Sequence, residues 1–147
     1  MSGGAWRDDS LRESDPRFPS GRWVGYWRQE SHQGRMQLDL TFGNGRLFGD
    51  GRDFVGDFTL SGSYCTQTGR CVMHKTYLGQ HDVHYDGTAT QRGITGAWEI
   101  HDAEEPAMNS RGPFHIWPVG PGGGESLREE VEQPLPIHEA PTARARP

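Results

Sequence analysis

The chain has 147 residues, a formal net charge of −5, 32% hydrophobic residues and a mean hydropathy of −0.82. That length fits one domain, and so little apolar content can build a core from only part of it. The acidic balance argues against a surface that holds a phosphate backbone, so no nucleic-acid partner is expected. No run of about 18 apolar residues is present to span a bilayer. Met1–Ser20 has no apolar stretch of the kind a secretory signal needs. The expectation is therefore a soluble, cytoplasmic protein with no membrane partner.

Residues 1–19 mix both charges without a period and read as a flexible N-terminal segment, although Trp6 and Phe18 could dock on a surface. A β-domain is expected over 20–119. Its first strand, 22–29, alternates Trp23, Gly25 and Trp27 with Val24, Tyr26 and Arg28, and the indole face suits a core. The second, 35–42, sets Met36, Leu38, Leu40 and Phe42 against Gln37, Asp39 and Thr41, one face buried and one wet. Gly43-Asn44-Gly45 marks a hairpin, because Asn-Gly supplies the positive φ angles of a type I′ turn.

A short third strand, 46–50, leads into the GDGRD bend, and a fourth, 54–64, puts Phe54, Gly56, Phe58, Leu60 and Gly62 on one face. Strands five to seven fill VMHKTYLGQHDVHYDGTATQRGITGAW, 72–98, the seventh reaching His101. If 78–80 is a three-residue loop, Lys75 faces Val83 and His74 faces His84. An acidic loop, DAEEPAMNS, precedes an eighth strand, 112–118, with Phe114 and Ile116 inward and His115 and Trp117 outward.

Eight short strands in a meander hide both sheet edges by closing into an antiparallel up-and-down barrel, and glycines within them suit tight coiling. A two-sheet sandwich is the alternative. The remaining 120–147 read as a disordered tail, in which SLREEVEQ has capping-box spacing and PLPI is extended. Cys65 and Cys71 sit on the two arms of a predicted hairpin, open to a disulfide or to two reduced thiols. No second CxxC or nearby Cys/His pair completes the four ligands of a zinc site, and no metal or cofactor is assigned.

Gly21-x-Trp23 opening the first strand, the eight-strand meander and the late Gly96-Ala97-Trp98 resemble the calycin superfamily of avidin-like and lipocalin-like barrels. The resemblance implies that Trp23 closes one end of the barrel and that the interior takes a small ligand. The chain departs from lipocalins in lacking their C-terminal packing helix, and from avidins in lacking their polar biotin set. Biotin or retinoid binding is therefore not implied.

Two groups of residues carry the functional expectations. Alternation turns Trp23, Trp27, Lys75, Tyr77, Tyr85 and Trp98 inward. An inward lysine must be paired or have its pKa lowered, with Asp50, Asp53 or Asp57 as counter-charge. The expected ligand-binding set is Trp23, Trp27, Asp53, Lys75, Tyr77, His81, Tyr85 and Trp98, forming aromatic walls with a few polar groups for a compact aromatic or acidic small molecule. The same residues also read as a self-satisfied structural network, or as a barrel enzyme of the lyase, isomerase or hydrolase type with Lys75 and Tyr77 as acid and base. No nucleophile–base motif supports the last.

The second group is the outward face of His74, His84, His101 and His115 with Glu99, Asp82 and Asp86. It reads as plain solvated surface, as a divalent-metal site, or as a homo-oligomer contact whose charge changes near neutrality.

Overall fold

The computed structural model describes residues 12–78, 82–100 and 110–120. Eight strands run in order: β1 Gly21–Gln29, β2 His32–Gly43, β3 Arg46–Arg52, β4 Asp57–Tyr64, β5 Arg70–Tyr77, β6 Asp82–Thr90, β7 Gly93–Ile100 and β8 Ser110–Pro118. Each pairs antiparallel with its neighbours, and β1 also pairs with β8, which closes the sheet into a barrel. The sandwich alternative is thereby removed.

Both edges vanish at the β1–β8 seam, where Gly25 lies opposite Ile116. A methyl group there would sit 2.1 Å from the His115 carbonyl oxygen and 2.6 Å from the Ile116 Cα. The strands can approach this closely only because Gly25 has no side chain.

The period-two pattern behaves as read. Met36, Leu38, Leu40 and Phe42 are buried, while of the residues between them Gln37 and Asp39 are exposed and Thr41 is half-buried. Apolar side chains fill the interior and the outward positions are largely polar or charged, the reverse of a barrel that faces lipid with its outer surface. No helix among the described residues is long and apolar enough to cross a membrane.

The lead-in to β1 departs from expectation. Residues 12–19, expected within a flexible segment, are anchored instead: Phe18 is completely buried, its ring 4.6 Å from that of Tyr64 and 5.5 Å from that of Phe42. The Glu13 amide donates to the Phe42 carbonyl at 3.1 Å, and the Tyr64 hydroxyl donates to the Glu13 carboxylate at 2.6 Å. The segment plugs the end of the barrel opposite the β1–β2 and β3–β4 turns. Trp23 lies at this floor, 5.6 Å from Phe42, its indole N–H donating to the Pro19 carbonyl at 2.9 Å.

Two further expectations change. Residues 54–56, read as the start of the fourth strand, form the β3–β4 turn instead. His115 and Trp117 do occupy the outer face, but they are buried there with Tyr26: the His115 ring is 4.9 Å from Trp117 and 5.9 Å from Tyr26, and its Nε2 is 2.7 Å from the Arg92 carbonyl. Three rings packed edge-on remove one another from water, so an outward indole need not be an exposed one. Cys65 is exposed and Cys71 buried, both as free thiols. Burial pushes the Cys71 thiol up to about 12. Residues 1–11, 79–81, 101–109 and 121–147, and with them His81, His101, the loop at 78–80 beyond Leu78 and the SLREEVEQ segment, lie outside the described residues.

Candidate functional site

Lys75 is the centre of the interior. On β5 the alternation turns Met73, Lys75 and Tyr77 inward, all at most 2% exposed. Register sets Lys75 opposite Val83 on β6 and Leu60 on β4, as the hairpin reading required. Tyr85 of β6 lies beside Met73 and opposite Trp98 of β7, and Trp27 enters from β1, its ring 6.3 Å from that of Trp98 in an edge-on contact.

The counter-charge comes from a turn. After β3 the chain makes a compact loop in which Asp53 and Gly56 exchange two backbone hydrogen bonds, each 3.1 Å. The Asp53 Oδ1 accepts from the Val55 and Gly56 amides at 2.9 and 3.3 Å, the self-capping habit of aspartate that breaks a strand here.

The other oxygen, Oδ2, reaches into the barrel. It accepts from Lys75 Nζ at 3.1 Å, from the Tyr77 hydroxyl at 2.6 Å and from the Trp27 indole N–H at 3.2 Å. Both charged side chains are wholly buried. Of the three aspartates considered as partners, Asp53 is therefore the one used. Asp57 is exposed and pairs with Arg52 at 2.9 Å, and Asp50 is exposed on the outer face opposite Asp39.

Aromatic rings and sulfur surround the ammonium. Nζ lies 4.5, 4.8 and 5.2 Å from the ring centres of Phe58, Tyr77 and Tyr85, and 3.6 Å from the Met36 sulfur. Ring faces are negative and attract a cation that has lost its water. Burial nevertheless lowers the Lys75 ammonium from its ordinary 10.5 to about 8, with Asp53 opposing the fall. Burial first, then the charge of Asp53, raises the Tyr77 phenol, and burial does the same to Tyr85. Both phenols are thus held as donors. The Tyr85 hydroxyl is buried and has no hydrogen-bond partner among the described residues.

Phe54, at the tip of the turn, stacks on Trp27 with ring centres 5.4 Å apart and planes 25° from parallel, and is 42% exposed. The turn thus closes the end of the barrel above the Lys75 group. The Trp98 indole donates to the Arg28 carbonyl at 2.8 Å, so Trp98 acts as wall rather than as a donor to the centre.

Of the expected ligand-binding residues, Trp27, Asp53, Lys75, Tyr77, Tyr85 and Trp98 come together. Trp23 does not, because it begins β1 at the opposite end. Met36, Phe58 and Phe54 were not among the expected site residues. Alternation placed the first two inward, but only strand register assigns them to the same layer as Lys75.

A surface groove of about 370 Å³ lies elsewhere, on the outside of β1–β4, with Arg22, Asp39, Asp50, Arg52 and Asp57 among its walls. Its arginines already pair with its aspartates, Arg22 with Asp39 at 3.8 Å and Arg52 with Asp57. Exposed pairs of this kind are weak and well solvated. His74 and His84 face each other with rings 5.1 Å apart, but the outer face they share does not continue to His115 as an exposed strip, because His115 is buried.

Fold and site together define a small closed antiparallel barrel with a buried ammonium, carboxylate and phenol held beneath a turn. No family model matches the chain, and no curated protein or solved structure matches it either.

Proposed function

We propose that this barrel binds a compact small molecule at the end covered by the 53–56 turn, with Lys75, Tyr77 and Tyr85 as its polar contacts and Trp27 and Trp98 as its walls. The observation that carries the reading is the convergence of an ammonium, a phenol and an indole N–H on one point, where they meet an oxygen supplied by a turn rather than by a strand. Ligand sites commonly combine aromatic walls with a few convergent polar groups. The resemblance to calycin barrels, in which one end is closed by the tryptophan matching Trp23, supports placing the ligand at the opposite, turn-covered end.

The test is a titration of tryptophan fluorescence and thermal melting across a panel of small aromatic and acidic compounds, with Lys75→Met as control. Saturable changes that the variant loses are expected. A panel without effect on the wild type, or equal binding by Lys75→Met, removes the reading.

A second reading, proton transfer by Lys75 and Tyr77, draws on the ammonium value near 8, which suits acid–base work close to neutrality. It requires turnover that Lys75→Ala and Tyr77→Phe both abolish.

A further inference from the structure

The two oxygens of Asp53 do different work. Oδ1 caps its own turn, while Oδ2 alone occupies the donors of the barrel. The next residue, Phe54, lays an aromatic ring on Trp27. The turn thus sends a carboxylate into the interior and, from the adjacent residue, lays a half-exposed phenyl ring over Trp27 at the barrel end.

The turn also carries its own backbone hydrogen bonds and cap. Its two backbone hydrogen bonds run between Asp53 and Gly56, and its side-chain cap is its own. Swinging outward as a unit gives up the Oδ2 contacts, the Phe54–Trp27 stack and the packing of Val55 on the core, while the internal bonds are kept.

Resting on the small-molecule reading above, we propose that Asp53 and Phe54 stand in for the ligand itself: the barrel binds an aryl carboxylic acid whose carboxylate replaces Oδ2 and whose ring replaces Phe54 when the 53–56 turn opens. Charge supports a monoanion. The seat holds one ammonium and neutral donors, which balance one negative charge and would leave a dianion such as phosphate uncompensated.

The unpartnered Tyr85 hydroxyl supports a free acid over the built-in one. Asp53 spends one oxygen on its turn, so it satisfies fewer donors than a ligand carboxylate with both oxygens available. Such a ligand gives the Tyr85 hydroxyl an acceptor, and a buried donor left without one is costly. The ring of the ligand gains the Trp27 face that Phe54 now covers. The turn then sets affinity, because the ligand must compete with a carboxylate already in place.

Phenylacetate and its neutral amide, phenylacetamide, test this by tryptophan fluorescence titration against wild type, Asp53→Asn and Asp53→Asn/Lys75→Met. Asparagine keeps the Oδ1 acceptor of the turn and removes the charge that competes for Lys75. Asp53→Asn is expected to bind phenylacetate at least about tenfold more tightly than wild type, with no such gain for the amide and with the gain lost in the double variant.

A folded Asp53→Asn that binds phenylacetate no better than wild type overturns the proposal, as does an equal gain for the amide. Should Asp53→Asn fail to fold, Phe54→Gly loosens the turn and leaves the seat intact. It too must tighten phenylacetate binding, and unchanged affinity overturns the proposal. Neutral aromatics that bind wild type as well as acids do would retain the small-molecule reading and refute the stand-in. Absence of binding by every compound to every variant refutes both.

Discussion

Lys75 Nζ and Asp53 Oδ2 lie 3.1 Å apart in the middle of the barrel, the lysine on a strand and the aspartate on a turn 22 positions earlier. Neither side chain has any exposure to water. A pair so placed is costly to bury and more costly to break, since removing one member leaves the other charged and unmatched.

The first prediction concerns that asymmetry. Lys75→Met and Asp53→Asn should each destabilise the fold by about 3–5 kcal/mol, and the double variant should cost clearly less than the sum. Urea denaturation of the four proteins measures the coupling. Additive losses would mean that the two side chains do not act as a pair.

The pH dependence follows from the lowered lysine value. The folded protein releases the Lys75 proton near pH 8 and the unfolded chain near 10.5, so between these the unfolded state holds more protons and stability rises with pH. Below about pH 8 both states are protonated and the contribution is flat. The full effect is at most about 3 kcal/mol. Above about pH 10 the raised phenols of Tyr77 and Tyr85 act oppositely, because the unfolded chain loses those protons first. Melting temperatures of wild type, measured relative to Lys75→Met from pH 7 to 9.5, should therefore climb; parallel curves would contradict the assignment.

Phe54→Ala should loosen the turn. Loss of the ring stacked on Trp27 is expected to cost about 0.5–1.5 kcal/mol and to speed amide hydrogen exchange at Val55 and Gly56 while strand amides stay protected. Exchange at these amides that matches wild type would show that the stack does not hold the turn.

Gly34 lies against the face of Trp27: a methyl group there would come within 2.1 Å of the Trp27 ring carbon Cε2. Gly34→Ala should displace the indole from Asp53, destabilise by about 1–3 kcal/mol and shift tryptophan emission. An unaltered spectrum with full stability would exclude that packing.

At the other end, Phe18→Ala should cost about 3–5 kcal/mol, as expected for emptying a buried aromatic site between Phe42 and Tyr64. A loss near zero in chemical denaturation would return the lead-in to the status of a loose segment.

Strand order, alternation and the pairing of Lys75 with Val83 were legible because side-chain period and turn residues are local properties of the chain. Residues 54–56 carry a strand's signature although they turn, because Phe54, Gly56 and Phe58 keep the period of two. What breaks the strand is the Asp53 carboxylate folding back on the Val55 and Gly56 amides, an interaction that alternation does not register. Phe18 was misjudged for a related reason. A single aromatic residue in a charged segment has no period, and its burial depends on a hole that eight strands create together.

The amino-acid order alone determined that this chain is a meander of short strands with an inward lysine among aromatic rings, since hydrophobic alternation and glycine turns specify strands and faces residue by residue. Only the closed barrel decided which aspartate meets Lys75, that Phe58 and Met36 share its layer while Trp23 does not, and that His115 and Trp117 are shielded. Those relations depend on the height of each residue along the barrel, which strand register and closure set across distant parts of the chain.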